Sequence, residues 1–235
     1  REHRNIRSRV NIHLRELRQQ ITTLKETVWR FDEPKATPAL DHTIAMERLA
    51  QAAELRDDAT GQHSKRVAEY CRLLAQRIGF DEPYSEMLRV ASPLHDVGKL
   101  GIPDRILLKR GQLTTSEFAV VKRHPWMGFK MLSNTGSPVL DLAASIALTH
   151  HEKFDGTGYP YGLSGEEIPM EGRITAVADV FDALTSIRCY KPAYSVPQAL
   201  DIMRAGRGSH FDPELLDLFM DSLDEANLIR EQYAH

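Results

Sequence analysis

Leu94-His95-Asp96-Val97-Gly98-Lys99 sets an imidazole, a carboxylate and an ammonium close together at the end of an apolar segment, Leu88 to Val97, that reads as helical. On an α-helix neighbouring side chains diverge by about 100°, so His95 and Asp96 serve different edges of a site. An ionised aspartate in an apolar segment is costly unless something compensates its charge. A metal does so, and the two oxygens of Asp96 suit it to bridge two cations while His95 binds one.

Working outward, the same residue types recur. His150-His151-Glu152 closes an apolar helix containing Leu140, Ala144, Ile146, Ala147 and Leu148, then runs into Asp155-Gly156-Thr157-Gly158-Tyr159-Pro160. The glycines permit positive φ and close backbone approach, which stops the helix and offers Tyr159 at the mouth of a site. His124-Pro125 has its own helix with Gly128 one turn later, and a histidine alone in such a place is more often a satisfied core residue than a ligand. Asp179, within Val177-Ala178-Asp179-Val180-Phe181-Asp182, is another carboxylate in an apolar helix. With His63 the set comprises five histidines and two aspartates. Neutral imidazole and carboxylate without thiolate suit two divalent transition-metal ions, iron, manganese, nickel or zinc, and the chemistry expected is metal-activated water attacking a phosphoester.

The 235 residues, 42% of them hydrophobic, support one sizeable core and an appendage. A net charge of −3 gives no general attraction to duplex nucleic acid, so an anionic ligand must be held locally. Cys71 and Cys189 form no CxxC pair and read as buried, reduced thiols of a cytoplasmic protein. No apolar stretch approaches the roughly 18 to 20 residues that span a bilayer. The chain begins at Arg1, not Met, and reads as a piece of something longer.

Val10, Leu14, Leu17, Ile21, Leu24, Val28 and Phe31 alternate spacings of four and three across residues 1–31. This heptad seam predicts a parallel homodimerising or signal-carrying helix, although a helix packed by its stripe on the main domain satisfies the same spacing. Residues 32–38, with Pro34 and Pro38, predict a linker, and residues 39–235 the main domain. Helix starts are expected near Gly61, Pro83, Thr115, Ser137-Pro138, Gly172, Ser195 and Asp212-Pro213. No stretch alternates as a half-buried strand does, apart from room for a small hairpin in the loop from Phe154 to Pro169. The expected fold is an all-α helical bundle with one long Gly/Tyr/Pro loop.

These strings resemble the HD-GYP domain of the HD phosphohydrolase superfamily. Thr60-Gly61-Gln62-His63 with Arg66, Leu94 to Lys99 with Gly101-Ile102-Pro103-Asp104, His124 with Gly128, His150-His151-Glu152, Gly158-Tyr159-Pro160 and Val177 to Thr185 with Arg188 follow the family's order. The resemblance implies hydrolysis of cyclic di-GMP to linear pGpG and, slowly, onward to GMP. By the same resemblance His95, Asp96 and Asp179 hold one metal, Asp96 bridges to a second held by His124, His150 and His151, and His63 completes the set. Asp96 and Lys99 are then catalytic, and Lys99, Tyr159, Arg188 and Lys191 bind substrate. A GGDEF-type partner on the Gly-Tyr-Pro loop is a further expectation.

The sequence departs from the family at Ala59, where many members carry a glutamate that supports a third metal. Asp58, one residue off, is rotated by about 100° on a helix and substitutes poorly, so two metals are expected. Lys109-Arg110-Gly111 and Arg188-Cys189-Tyr190 each lack the family's proline. A second class of function also fits: a degenerate module that binds metal and cyclic dinucleotide with little turnover and signals through partner contacts.

Overall fold

A computed structural model of the chain describes residues 38–56, 62–186 and 193–233. Among these the architecture is all-α, with one isolated bridge between Arg207 and Phe211 and no strand. The heptad of residues 1–31 and residues 32–37 of the expected linker lie outside the described residues. Pro38, assigned to that linker, is the first residue of α1, Pro38–Glu54.

The early helices follow the apolar pattern. Helix α1 buries Met46, Ala50 and Ala53 on one face. Helix α2, His63–Ile78, buries Val67, Tyr70, Cys71 and Leu74, the i, i+3, i+4, i+7 stripe of a surface helix. It ends at Gly79, whose φ of 98° lets its N–H turn back to the Ala75 and Gln76 carbonyls. Helix α3, Glu82–Ala91, starts where the Asp81 side chain accepts the Tyr84 N–H at 3.0 Å, with Pro83 in its first turn.

The continuous helix expected over Leu88 to Val97 is corrected at Ala91. From Ser92 to Gly101 the chain winds as a 3-10 helix. Pro93 has no N–H to give to the carbonyl four residues back, and its ring crowds that carbonyl. At three residues per turn His95 and Asp96 diverge by about 120°, and residues three apart eclipse. The tighter winding therefore puts Lys99 over Asp96.

Eight more helices follow among the described residues: α4, Asp104–Leu107; α5, Thr115–Val121; α6, His124–Leu132; α7, Pro138–Thr149; α8, Met170–Thr185; α9, Val196–Ala205; α10, Pro213–Asp221; and α11, Leu223–Gln232. Helix α7 buries every residue from Leu142 to Thr149, as a helix apolar all round must. It packs on α8, which packs in turn on α2. Tyr70, Phe181 and Phe219 meet edge to face at centroid distances of 5.4, 5.9 and 4.9 Å, joining α2, α8 and α10.

The hairpin for which Phe154 to Pro169 left room is absent; the segment contains only a 3-10 turn, Gly165–Glu167. A buried carboxylate replaces the cross-strand ladder. Glu152 accepts the Tyr161 N–H at 2.7 Å and the Leu163 N–H at 3.0 Å, folding the loop back over the end of α7. Among the described residues no helix is long and apolar enough to cross a membrane.

Candidate metal centre

One close backbone approach and the positions of three helices converge the candidate ligands. A Cβ on Gly98 would collide with the His124 carbonyl, so glycine there lets the 3-10 segment lie against the start of α6. His150 stands at the C-terminal cap of α7 and His151 follows it, where the helix has stopped. Asp179 comes from the middle of α8, and His63 is the first residue of α2.

The seven side chains fall into two groups that share an edge. The ligand atoms of Asp96, His124, His150 and His151 lie within 4.8 Å of one another, and so do those of His63, His95 and Asp179. Asp96 faces both groups. Its Oδ1 is 3.1 Å from His124 Nε2 and 3.7 Å from His150 Nε2, while its Oδ2 is 3.4 Å from His95 Nε2. Asp179 Oδ1 is 3.4 Å from His63 Nε2 and 3.9 Å from His95 Nε2. The structure thus groups His63 with His95 and Asp179.

The tautomers are set from outside. His95 Nδ1 donates to the Ser92 carbonyl at 2.9 Å, His124 Nδ1 to the Val121 carbonyl at 2.8 Å, and His150 Nδ1 to the Ile146 and Ala147 carbonyls at 3.1 Å each. His63 Nδ1 lies 2.8 Å from Asp182 Oδ2. Four imidazoles are therefore oriented through Nδ1, with Nε2 turned toward the centre, as metal-binding histidines are. His95 Nε2 and Asp96 Oδ1 are buried without a hydrogen-bond partner. Unsatisfied buried polar atoms at the meeting point of five histidines and two carboxylates are what a pair of cations would satisfy.

The electrostatics divide the histidines into two kinds. Burial pushes the His151 imidazole well down, helped by His150 and His124, and it pushes His150 down as well. Against burial, the neighbouring carboxylates raise the other pair. Asp96 with Asp179 holds His95 up at about 9, and Asp182 with Asp179 raises His63. Burial would raise Asp96, but Lys99 and the surrounding histidines hold it well below the usual carboxylate range. Lys99 Nζ stands 2.7 Å from Asp96 Oδ2.

Tyr159 stacks on His151 with ring centroids 4.7 Å apart and planes 30° apart, at the rim of the centre. Its peptide bond to Pro160 is cis. Arg188 and Lys191, expected to bind substrate, lie outside the described residues.

Supporting residues were not assigned roles from sequence. Asp182 is fully buried and accepts from Arg66 Nε at 2.6 Å and from Arg66 Nη2 at 3.0 Å while it faces His63. Its spacing of three from Asp179 on one apolar helix was the available signal. Glu54, at the end of α1, accepts the His63 N–H at 3.0 Å and the Ser64 N–H at 3.2 Å, capping α2 from a distance because Gln62 gives no side-chain cap. Nothing in the sequence spacing advertises that contact.

The family model described as HD domain matches residues 47–215, which contain all seven candidate ligands. The chain is 40% identical to the cyclic di-GMP phosphodiesterase response regulator RpfG of Xanthomonas campestris pv. campestris (strain 8004), over 98% of this chain and 62% of that protein. It is 48% identical to a cyclic di-GMP phosphodiesterase of Vibrio cholerae over 75% of this chain and 39% of the relative. It is 46% identical to the 3'3'-cGAMP-specific phosphodiesterase 2 of the same organism, over 77% of this chain and 35% of that protein. The chain thus spans between 35% and 62% of these relatives. In fold it is similar to a cyclic GMP-AMP specific phosphodiesterase of V. cholerae (V-cGAP3), with a TM-score of 0.60 at 18% identity over 80% of this chain and 50% of the other. It is likewise similar to Bd1817, an HD-GYP-type protein of Bdellovibrio bacteriovorus, with a TM-score of 0.56 at 20% identity over 70% and 52% of the two chains. With its motif order, its helical architecture and its candidate ligands brought together, the chain belongs to the HD domain family, in the HD-GYP branch.

Proposed function

We propose that this protein is a metal-dependent phosphodiesterase that hydrolyses cyclic di-GMP to linear pGpG. Two divalent transition-metal ions would be held by His63, His95 and Asp179 on one side and by His124, His150 and His151 on the other, with Asp96 between them. When bound, such ions lower the pKa of water and neutralise charge on the phosphoryl oxygens. Hydrolysis breaks the P–O3′ bond. Water supplies the new oxygen on phosphorus and the proton that ends on O3′, leaving a 5′-phosphate and a 3′-hydroxyl.

The chain's own residues hold and orient. Asp96 offers an oxygen to each group, and the carbonyl contacts behind His95, His124 and His150 fix where their lone pairs point. Lys99, three residues after Asp96 and 2.7 Å from its Oδ2, is assigned to hold a phosphoryl oxygen as charge develops there. Tyr159, Arg188 and Lys191 are assigned to the rest of the cyclic dinucleotide, and residues 1–31 to dimer contact and signal transfer. The observation that carries this reading is the set of histidines anchored through Nδ1 around a carboxylate with an unsatisfied oxygen.

The test is hydrolysis of cyclic di-GMP and of 3'3'-cyclic GMP-AMP by the full chain under defined metals, with pGpG and GMP followed separately. Metal-dependent release of pGpG supports the reading. Tight metal and nucleotide binding without turnover replaces it with the sensor module that the alanine at position 59 favours.

A further inference from the structure

Helix α5, Thr115–Val121, has no buried residue. It is held by its own capping box, in which Thr114 and Glu117 exchange backbone and side-chain bonds, and by Lys109 Nζ at 2.6 Å from Glu117. Yet it carries Phe118, a residue 44% exposed whose ring is 6.4 Å from that of Tyr159 at 78°. An aromatic side chain on a helix without a core face is not explained by packing.

Lys122, the C-terminal cap of that helix, completes the arrangement. Its Nζ lies 5.1 Å from the Phe118 centroid and 5.7 Å from the Tyr159 centroid, within cation–π range of both. Among the described residues it makes no ion pair with a carboxylate. Tyr159 connects this rim to the centre, since its ring stacks on His151 and is 6.5 Å from that of His124.

We propose that Phe118, Tyr159 and Lys122 form a purine-base subsite beside the metal centre, and that Lys122 makes it prefer guanine. This rests on the phosphodiesterase reading above and deepens it. Aromatic faces accept any base by stacking, at a worth of about 1–3 kcal/mol per base; Tyr159 is already stacked on His151 and walls the subsite, so the exposed Phe118 supplies affinity without discrimination. The ammonium supplies the discrimination. Guanine shows two acceptors, O6 and N7, on its major-groove edge, whereas adenine opposes a donor with its N6 amino group.

The test measures kcat, KM and equilibrium binding of cyclic di-GMP and cyclic di-AMP for the full chain and for Phe118→Ala, Phe118→Trp and Lys122→Met. Phe118 and Lys122 bury nothing in the core, so melting temperatures should stay with wild type. Phe118→Ala should weaken binding and raise KM for cyclic di-GMP by about 10- to 100-fold, with kcat nearly unchanged, and Phe118→Trp should restore it. Lys122→Met should shrink the preference for cyclic di-GMP over cyclic di-AMP by about tenfold or more. If the wild type turns over cyclic di-GMP but these variants bind and select as it does, the subsite is wrong and the phosphodiesterase reading stands. A wild type that neither binds nor hydrolyses a cyclic dinucleotide overturns both.

Discussion

Arg56 Nη1 donates to the backbone carbonyl of Lys99 at 2.6 Å, and its Nη2 donates to the Ile102 carbonyl at 2.9 Å and to Asp104. One guanidinium just past the end of α1 thus clasps the strip of backbone that carries the proposed phosphate-binding lysine. A planar fork spans several acceptors at once, which a point-charge ammonium does not. Arg56→Ala should lower kcat about 10- to 100-fold, the range that small misplacements cost, with bound metal unchanged. Arg56→Lys should recover little of that loss. Turnover measured beside metal content checks both.

Lys99 itself should separate chemistry from metal binding. It touches Asp96 but is no ligand, so Lys99→Ala should reduce kcat by about 100- to 1,000-fold, as loss of one charge-stabilising donor does. Metal analysis of the same preparation should show wild-type content. A parallel fall in metal and activity would make Lys99 a structural partner of Asp96 instead.

Asp182 links a ligand to the core. With Arg66 and His63 both depending on it, Asp182→Ala leaves a buried guanidinium unpaired and one imidazole unoriented. Breaking a buried pair from one side costs about 3–5 kcal/mol, and removing the partner of a ligating histidine weakens metal binding about 10- to 100-fold. Urea denaturation and metal titration should report the two losses separately.

Cys71 gives a pH prediction. Burial pushes its thiol up to about 12, although Ser92 and Thr175 oppose this by hydrogen bonding. A raised folded-state pKa means that its contribution to stability is complete below the unfolded value of 9.0 and is lost as pH rises through the window toward about 12. With two cysteines in the chain, a thiol reagent at pH 8 should react rapidly with no more than one in the native protein and with both in denaturant. Two fast thiols in the native state would contradict the burial of Cys71.

The heptad of residues 1–31 has its own test. A chain truncated before Pro34 should be smaller in assembly state than the full chain by analytical ultracentrifugation. An unchanged assembly state would remove the dimer reading.

Much of this was legible from residues alone, for physical reasons. Helices with an apolar stripe or a Pro, Asp or Ser start could be placed because propensity and packing agree there. Metal-grade side chains stand out because buried imidazole and carboxylate need a partner. The 3-10 winding after Ala91 was missed because helical spacing over ten residues does not separate 3.0 from 3.6 residues per turn, and Pro93 was the neglected signal. The roles of Glu54, Arg56 and Glu152 were invisible because each depends on which backbone groups a distant segment leaves unpaired. Asp182 was quoted in its motif but hidden by Asp179 beside it.

Metal content per chain, measured together with cyclic di-GMP turnover across a chelation and reloading series, tests the central claim most directly. The account predicts two tightly held transition-metal ions per chain, loss of pGpG production when they are stripped, and recovery when they return. Full activity in metal-free protein, or a chain that binds no metal at all, would contradict it.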